Sequence, residues 1–286
     1  MSQPVALPLP VARSVASLRQ TVADWRKAGL RVGFVPTMGA LHAGHLSLVE
    51  RAKERADRVV VSIFVNPTQF GPSEDFSKYP RQEASDAARL AAFGVDLLYS
   101  PSVDEMYPAG AATTVSVGIV TERLEGVFRP THFAGVATVV AKLLNQVQPH
   151  VAVFGEKDYQ QLLVVKRLVA DLDIDTEIVP GPTVREADGL AMSSRNAYLS
   201  EEDRAIAASL PATLNFVATQ LRSGIDASPI LAAGRTRLLK AGFREVQYLD
   251  LADAATLAPL ERADRPARLL VAALVGATRL IDNMAV

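Results

Sequence analysis

Apolar segments without polar alternation recur through the first two thirds of the chain, separated by segments with helical spacing. Arg31–Pro36, Arg58–Val65 and Val95–Tyr99 are short, apolar and rich in β-branched residues, which predicts strands. Between them, Gly44–Asp57 and Gln82–Phe93 predict helices. Strands of this kind are buried on both faces. Their alternation with helices predicts βαβ units around a parallel sheet with right-handed crossovers.

The same alternation continues to Pro180 and then changes. The next predicted elements are a helix, a strand, a helix and a strand, at Phe133–Val147, Val151–Phe154, Tyr159–Leu172 and Ile174–Val179. Pro180–Pro182 interrupts the pattern, and two predicted helices and two predicted strands follow it, at Glu201–Ser223, Ser228–Ala241, Glu245–Leu251 and Arg268–Val275. The predicted fold class is therefore α/β. We expect a Rossmann-like parallel-sheet domain over residues 1–183 and a second, smaller α+β domain over residues 184–286.

The composition excludes several classes of protein and site. The formal net charge is −1, so there is no overall basic field to attract a nucleic acid. The chain has no cysteine, which excludes disulfides, thiolate nucleophiles and cysteine-ligated zinc. The N-terminal residues lack a signal-peptide pattern, and the longest apolar runs, near Val59–Val65 and Leu269–Ala277, are too short to span a bilayer. We expect a cytoplasmic protein that binds neither nucleic acid nor a membrane.

Candidate chemistry begins where the first of these predicted strands leads into a helix, at Met38–His45, here termed the histidine turn. Gly39 and Gly44 allow close approach of the backbone to a ligand, and the helix N-terminus favours a phosphate. His42 and His45, three residues apart, can share one face of the helix. Two imidazole donors there can stabilise negative charge as it moves from an α-phosphate to the departing pyrophosphate. The alternative is a tight turn with two surface histidines, but half of the chain's 4 histidines lie here. A P-loop is excluded because His45 stands where its lysine belongs.

Two further clusters directly follow predicted strands. Asn66 and Gln69 offer neutral amides, which suit hydroxyls or a carboxylate that must stay nucleophilic; an ordinary Asn-Pro turn is the alternative. Lys157, within Gly155–Gln161, offers a compact cation for phosphate oxygens, and Gln161 follows one helical turn later. The alternative there is a solvated, charged helix start. Ligands bind beyond the carboxyl ends of parallel strands, so the position of Lys157 favours a functional role.

A fourth cluster, the serine loop at Met192–Arg195, lies just after the predicted domain boundary. Its two hydroxyls and one guanidinium form a short polar segment. A mobile loop of this kind can place these groups on a phosphate. The alternative is a serine segment that only caps a helix.

The strings around these clusters are more specific than the clusters themselves. They are VPTMGALHAGH at Val35–His45, VSIFVNPTQF at Val61–Phe70, FGEKDYQQL at Phe154–Leu162 and DGLAMSSRN at Asp188–Asn196. With Arg129–Val136 and Arg279–Asn283 (RLIDN), the chain resembles the pantothenate synthetase (pantoate–β-alanine ligase) family over nearly its whole length. That family belongs to the HIGH-motif nucleotidylyltransferase superfamily. Arg195 stands in place of the final lysine of the superfamily's KMSKS motif, which keeps the charge.

The resemblance implies ATP-dependent condensation of (R)-pantoate with β-alanine through an enzyme-bound pantoyl adenylate. It also implies Mg²⁺ with the ATP and a homodimer. Because an acyl adenylate hydrolyses readily and water must be excluded, we expect the second domain to close over the first as a lid. Its ATP-binding positions are Met38, Gly39, Ala40, Leu41, His42, Ala43, Gly44, His45, Gly155, Glu156, Lys157, Asp158, Val184, Met192, Ser193, Ser194 and Arg195. Its catalytic positions are His42, His45, Lys157, Ser193, Ser194 and Arg195. Its pantoate and β-alanine positions are Gln69, Gln161, Asn66, Arg129 and His132.

Two other functions stay open on the residues alone. A nucleotidylyltransferase that stops at an adenylated product would use the same histidine turn, and amide formation with β-alanine separates it from a ligase. A nucleotide-binding regulator without turnover would lack pantoate-dependent exchange of pyrophosphate into ATP. The metal ligands are unknown from the sequence; Glu83 and Asp86 are candidates by location alone.

Overall fold

The computed structural model describes residues 7–72 and 74–286, and they divide into two units. The first unit runs to Glu156 and resumes over Gln161–Gly181. The second comprises Lys157–Gln160 and Pro182–Val286.

The first unit is built on a parallel sheet. Within the described residues the sheet has 6 strands in the order β1-β4-β3-β2-β5-β6. Their bounds are β1 Val11–Ala12, β2 Val32–Thr37, β3 Arg58–Ile63, β4 Leu97–Tyr99, β5 Val151–Gly155 and β6 Glu177–Gly181. All neighbouring pairs are parallel. The chain builds outward from β2 through β3 to β4 and then returns to place β5 on the other side of β2. This reversal is the topological switch point at which ligands bind in such sheets.

Helices cover the sheet on both faces, which is why its strands carry no polar alternation. The helices of this unit are α1 Val15–Lys27, α2 Ala43–Lys53, α3 Glu83–Ala92, α4 Val103–Met106, α5 Glu125–Phe128, α6 His132–Val147 and α7 Tyr159–Asp171, whose first residues belong to the second unit. Val35 packs in one core cluster with Leu48 of α2 and Leu90 of α3. Helix α6 packs on the opposite face of the sheet, where Tyr99 Oη of β4 donates to Gln146 Oε1 at 3.0 Å.

The second unit is an antiparallel sheet packed with helices. Its sheet has the strand order β7-β8-β9, with bounds β7 Glu245–Asp253, β8 Ala267–Val275 and β9 Thr278–Ala285. Its helices are α8 Glu201–Ala207, α9 Ser209–Arg222 and α10 Ala227–Ala241. A separate core cluster fills it, including Leu214 of α9, Leu238 of α10 and Leu269 of β8, each fully buried. The predicted α/β class with a second, smaller α+β part is therefore confirmed.

Two predicted elements were wrong in detail. The single helix expected over Glu201–Ser223 is two helices that meet at Ala208. Pro211 explains the break, because its ring would clash with the carbonyl of residue 207 in a continuous helix. The strand expected at Ile174–Val179 begins later and runs through Pro180 to Gly181. Proline is tolerated there because β6 is an edge strand.

Candidate active site

The histidine turn leaves β2 at the switch point and enters α2. Gly39 has φ +81° and Ala40 has φ +51°, so two consecutive residues take the left-handed conformation. A Cβ atom on Gly39 would lie 3.1 Å from Asp86 Oδ2 and from Ile63 Cγ2. Glycine at position 39 thus serves both the conformation and the close approach of α3.

Side chains of helix α3 stabilise this conformation by hydrogen bonds to the backbone of the turn. The carboxylate of Asp86 is fully buried and accepts hydrogen bonds from Ala40 N at 2.8 Å and Leu41 N at 2.9 Å. Arg89, one helical turn further on, donates to the Leu41 carbonyl. Glu83, at the start of the same helix, forms an ion pair with Arg13 at 2.5 Å. The carboxylates considered for a metal are therefore used in bonds within the protein. The sequence pattern gave no sign that Asp86 supports the turn.

His42 and His45 cap α2 reciprocally. His42 is the N-cap residue, and its Nδ1 accepts from Gly44 N at 3.2 Å. His45 Nδ1 accepts from His42 N at 3.3 Å, and the two ring centroids are 4.1 Å apart. A nitrogen that accepts a backbone hydrogen carries no proton, so the neutral rings are protonated at Nε2. The turn therefore presents two adjacent imidazoles, tilted by 43° to one another, whose Nε2–H groups are donors.

The second predicted cluster forms a compact network around Gln69. Asn66 is buried, and its Nδ2 donates to Gln69 Oε1 and to Gly135 O, both at 3.1 Å. Its Oδ1 accepts from Tyr107 Oη at 2.9 Å and from Thr68 Oγ1 at 3.0 Å. These bonds use both amide hydrogens and the oxygen of Asn66. Asn66 therefore orients the Gln69 side chain.

Arg129 and His132 hold the backbone of the same glutamine. Arg129 Nη2 and His132 Nδ1 both donate to the Gln69 carbonyl, at 3.4 Å and 2.9 Å. Arg129 also forms a bidentate pair with Glu74, at 2.8 Å and 2.7 Å. Burial lowers the pKa of His132 to about 4, and the nearby Arg129 charge acts in the same direction. His132 is therefore neutral near pH 7, with its proton on Nδ1. Three of the predicted substrate residues thus converge on Gln69.

The remaining sequence-predicted residues of the first unit lie at strand and helix ends. Gly155 ends β5, the neighbour of β2 in the sheet, and Glu156 follows it directly. Gln161 is the third residue of α7 and is half-buried. Met38 Sδ accepts a hydrogen bond from Gln69 Nε2 at 3.1 Å, which joins the histidine turn to the Gln69 network.

In the second unit, the serine loop follows a short hairpin. Val184 and Met192 are joined by a backbone hydrogen bond of 3.0 Å, and Gly189 reverses the chain with φ +90°. Ser193 caps a 3-10 helix at Ser194–Tyr198, its Oγ accepting from Arg195 N at 3.2 Å. The capping role considered as an alternative for this loop is thus present for Ser193.

An ion-pair network supports the same hairpin. Arg204 of α8 donates to Asp188 and to Glu186, each at 2.6 Å. Glu186 also accepts from Asn196 Nδ2 at 2.6 Å. The hydrogen bond from Arg204 lowers the pKa of Asp188. The hairpin before the serine loop is therefore fixed to α8, and Asn196, directly after the loop, is fixed to that hairpin.

Lys157 belongs to the second unit as well. Its Nζ lies 3.8 Å from Asp158 Oδ1, and its backbone carbonyl accepts from Asn283 Nδ2 at 2.9 Å. Within residues 7–72 and 74–286, no group of three His, Cys, Asp or Glu side chains is placed to hold a metal ion. Among the helices of the described residues, none has the length and apolar character needed to cross a membrane.

A parallel sheet whose switch-point strand leads through glycine into a histidine-capped helix defines a nucleotide-binding α/β protein. The family model described as pantoate-beta-alanine ligase matches residues 10–285. The chain belongs to this ligase family, and it is an enzyme of that class.

Individual relatives agree over nearly their whole lengths. The chain is 60% identical to a pantothenate synthetase of Paramagnetospirillum magneticum, covering 96% of this chain and 97% of the relative. A solved pantothenate synthetase from Thermus thermophilus has a TM-score of 0.90 at 50% identity, covering 96% of this chain and 99% of that one. A Francisella tularensis pantoate-beta-alanine ligase, solved in complex with beta-gamma ATP and beta-alanine, has a TM-score of 0.83 at 36% identity. That alignment covers 96% of this chain and 97% of the other.

Proposed function

We propose that this enzyme joins (R)-pantoate to β-alanine at the expense of ATP, releasing AMP and diphosphate. The observation that carries the proposal is that His42 and His45 both accept backbone N–H groups at Nδ1 at the N-terminus of α2, which leaves each neutral ring an Nε2–H donor. Two donors beside a helix N-terminus match the charge that develops when a carboxylate attacks the α-phosphorus. The membership of the chain in the pantoate-beta-alanine ligase family indicates which substrates are joined.

The reaction then follows in two steps. A carboxylate oxygen of pantoate bonds to the α-phosphorus, and the bond to the bridging oxygen of diphosphate breaks, which leaves pantoyl adenylate. The amine of β-alanine attacks the acyl carbon, AMP leaves, and the amine loses a proton. Positioning and charge stabilisation dominate both steps, since the protein forms no covalent bond to the substrate.

The residues divide between these tasks. The histidine turn, Gly155–Asp158, Val184 and the serine loop are proposed to bind ATP, with Lys157 and Arg195 as phosphate cations. Gln69 and Gln161 are proposed to bind pantoate, and Gln69 also lies near β-alanine in this proposal. Asn66, Arg129 and His132 are proposed to fix Gln69, because each bonds to it. Mg²⁺ is proposed to enter with ATP, held mainly by phosphate oxygens and water.

Isotope exchange tests the proposal directly. Labelled diphosphate should exchange into ATP only when pantoate is present, and β-alanine should then give AMP and an amide. Exchange without amide formation would favour a nucleotidylyltransferase, and no exchange at all would favour a nucleotide-binding regulator. Gln161→Ala should mainly raise the KM for pantoate; a change confined to the KM for ATP would remove Gln161 from the pantoate site.

The chain is further proposed to act in the cytoplasm, where ATP is available, and to form a homodimer. Three large apolar side chains between residues 119 and 128 support the dimer: Ile119 is 77% exposed, Val127 60% and Phe128 42%. A contiguous exposed apolar patch is typical of a protein contact, and these three side chains are close enough in sequence to contribute to one. Ile119→Asp combined with Val127→Asp should give a monomer by light scattering after gel filtration. Leu239→Asp, at a 50% exposed position of α10, is the control.

A further inference from the structure

Two buried polar residues near the end of the chain, Asp282 and Asn283 of β9, make contacts that neither sheet formation nor the core requires. They are only 2% and 4% exposed. Their side chains reach two segments that lie far away in sequence. These two segments are the ones in the second unit that the proposed function assigns to ATP.

Asn283 is bonded to the first segment. Its Nδ2 donates to the backbone carbonyl of Lys157 at 2.9 Å. Two contacts of Tyr159 support the same segment, since its Oη donates to the Ala254 carbonyl at 2.8 Å and Arg268 lies 4.0 Å over its ring. The backbone from which the Lys157 side chain projects is therefore fixed to the strands of this unit.

Asp282 is bonded to the hairpin that precedes the serine loop. Its fully buried carboxylate accepts two hydrogen bonds from Arg185, at 2.7 Å and 3.0 Å. Arg185 also donates to the carbonyls of Gly189 at 3.0 Å and of Asn283 at 3.2 Å. A bidentate guanidinium–carboxylate pair of this kind fixes orientation as well as distance.

We propose that Asp282 and Asn283 are positioning residues that hold Lys157 and the serine loop in a fixed relation for the transfer of the adenylyl group. This inference rests on the proposed function. Neither residue contacts substrate in the proposal; each acts through a neighbour. Consecutive residues of one rigid strand hold both segments, so the spacing between the two segments does not depend on loop flexibility. A misplacement of about 1 Å at a reacting group is enough to cost about 100-fold in rate.

The two half-reactions separate this role from a general structural one. Adenylate formation needs the phosphate-binding groups, whereas attack of β-alanine on supplied pantoyl adenylate no longer involves the triphosphate. We therefore expect Asn283→Ala and Asp282→Asn to lower kcat/KM for ATP in pantoate-dependent exchange by about 10- to 100-fold. The rate with supplied pantoyl adenylate and β-alanine should change by less than about threefold.

Asp250→Asn is the matched control, because Asp250 also pairs with an arginine in this unit, Arg235, at 2.9 Å. It should leave both half-reactions unchanged. Asn283→Ala removes only the side-chain bonds of residue 283 and keeps its backbone contact with Arg185, so it serves as the test if Asp282→Asn folds poorly. Equal losses in both half-reactions, or no loss in either, would overturn the inference. A wild-type enzyme without pantoate-dependent exchange would instead overturn the proposed function and remove the premise of this inference.

Discussion

The histidines of the first unit differ in which ring nitrogen carries the proton, and hydrogen bonds to the backbone decide this. His42 and His45 accept backbone N–H groups at Nδ1, which leaves the proton on Nε2. His132 donates from Nδ1 to a backbone carbonyl, which leaves Nε2 unprotonated. His42 and His45 are therefore suited to stabilise negative charge, and His132 is suited to hold Gln69 in place.

The first prediction concerns the donor at His45. His45→Ala should lower kcat by about 10²–10⁴-fold, because an imidazole donor is lost from the developing charge. His45→Gln retains an amide donor near the position of Nε2 and should lose less. His150→Ala is the control, since His150 Nδ1 also accepts a backbone hydrogen, from Val32 at 2.9 Å, but at the opposite end of β2. Steady-state kinetics measure this, and near-normal turnover of His45→Ala would remove His45 from the mechanism.

The second prediction concerns the pH dependence that buried His132 confers. Its pKa falls from 6.5 to about 4 in the folded protein, so below pH 6.5 the unfolded chain binds a proton that the folded chain does not. This contribution to stability is fully present above pH 6.5 and is lost as the pH falls towards 4. Relative to His132→Asn, the wild type should lose about 2 kcal/mol of unfolding free energy between pH 7 and pH 5.

Asparagine is the informative replacement because its amide retains a donor to the Gln69 carbonyl without a titrating group. Urea unfolding at the two pH values gives both free energies. If the wild type and His132→Asn lose stability equally between pH 7 and pH 5, the folded pKa of His132 is not depressed.

At the scale of elements, helix α6 can lie against the Gln69 network because its residue 135 is a glycine. A Cβ atom on Gly135 would lie 2.4 Å from Thr68 O and 2.7 Å from Gln69 Cα, so α6 lies directly against the 3-10 helix Pro67–Gln69. The Gly135 carbonyl also accepts from Asn66 Nδ2. Glycine here is a requirement of close packing, because its φ angle is not positive.

The third prediction follows from this contact. Gly135→Ala should displace the 3-10 helix, destabilise the protein by about 1–3 kcal/mol through overpacking and raise the KM for pantoate. Ala137→Gly, at a fully buried position of the same helix, also lowers stability but touches neither Thr68 nor Gln69 in this way. Kinetics at several pantoate concentrations separate the two variants. A pantoate KM that rises equally in both would show that stability alone, not the position of Gln69, determines it.

The elements that could be predicted from the sequence are those whose apolar pattern reflects burial. Strands β2, β3 and β5 and helices α2 and α6 were predicted within a few residues, because their buried positions are mostly apolar and recur with the period of the element. Helix α1 was missed although Leu18, Val22 and Trp25 follow helical spacing, because only Leu18 and Val22 of its 13 residues are buried. Strand β9 was missed because Asp282 and Asn283 interrupt its apolar pattern, and both are buried only through long-range hydrogen bonds. Asp86 could not be assigned from the sequence for the same reason.

At the scale of the whole molecule, the proposed nucleotide residues are divided between two units that each have their own core. The histidine turn and Gly155 belong to the first unit, and Lys157 and the serine loop belong to the second. The resemblance of the motif strings to the ligase family predicted this set of residues, and the set stays a prediction. The expected closing of the second domain as a lid stays a prediction.

The fourth prediction uses the single tryptophan of the chain, Trp25, which lies in α1 of the first unit. Its fluorescence reports the first unit, whereas far-ultraviolet circular dichroism reports both. Leu214 and Leu18 are each fully buried, one in each unit, and truncation of such a leucine costs about 2–5 kcal/mol. Because the described core cluster around Leu214 contains residues of the second unit alone, Leu214→Ala should lower the urea midpoint seen by circular dichroism and leave that of Trp25 nearly unchanged.

Leu18→Ala is the reciprocal variant, since Leu18 shares α1 with Trp25. It should lower the fluorescence midpoint by an amount that matches its loss of stability. Coincident shifts in both probes for both variants would contradict separate unfolding and would mean that the two cores melt as one cooperative unit. In that case a destabilising substitution in either core would lower the stability of both units, and would weaken the histidine turn together with Lys157 and the serine loop.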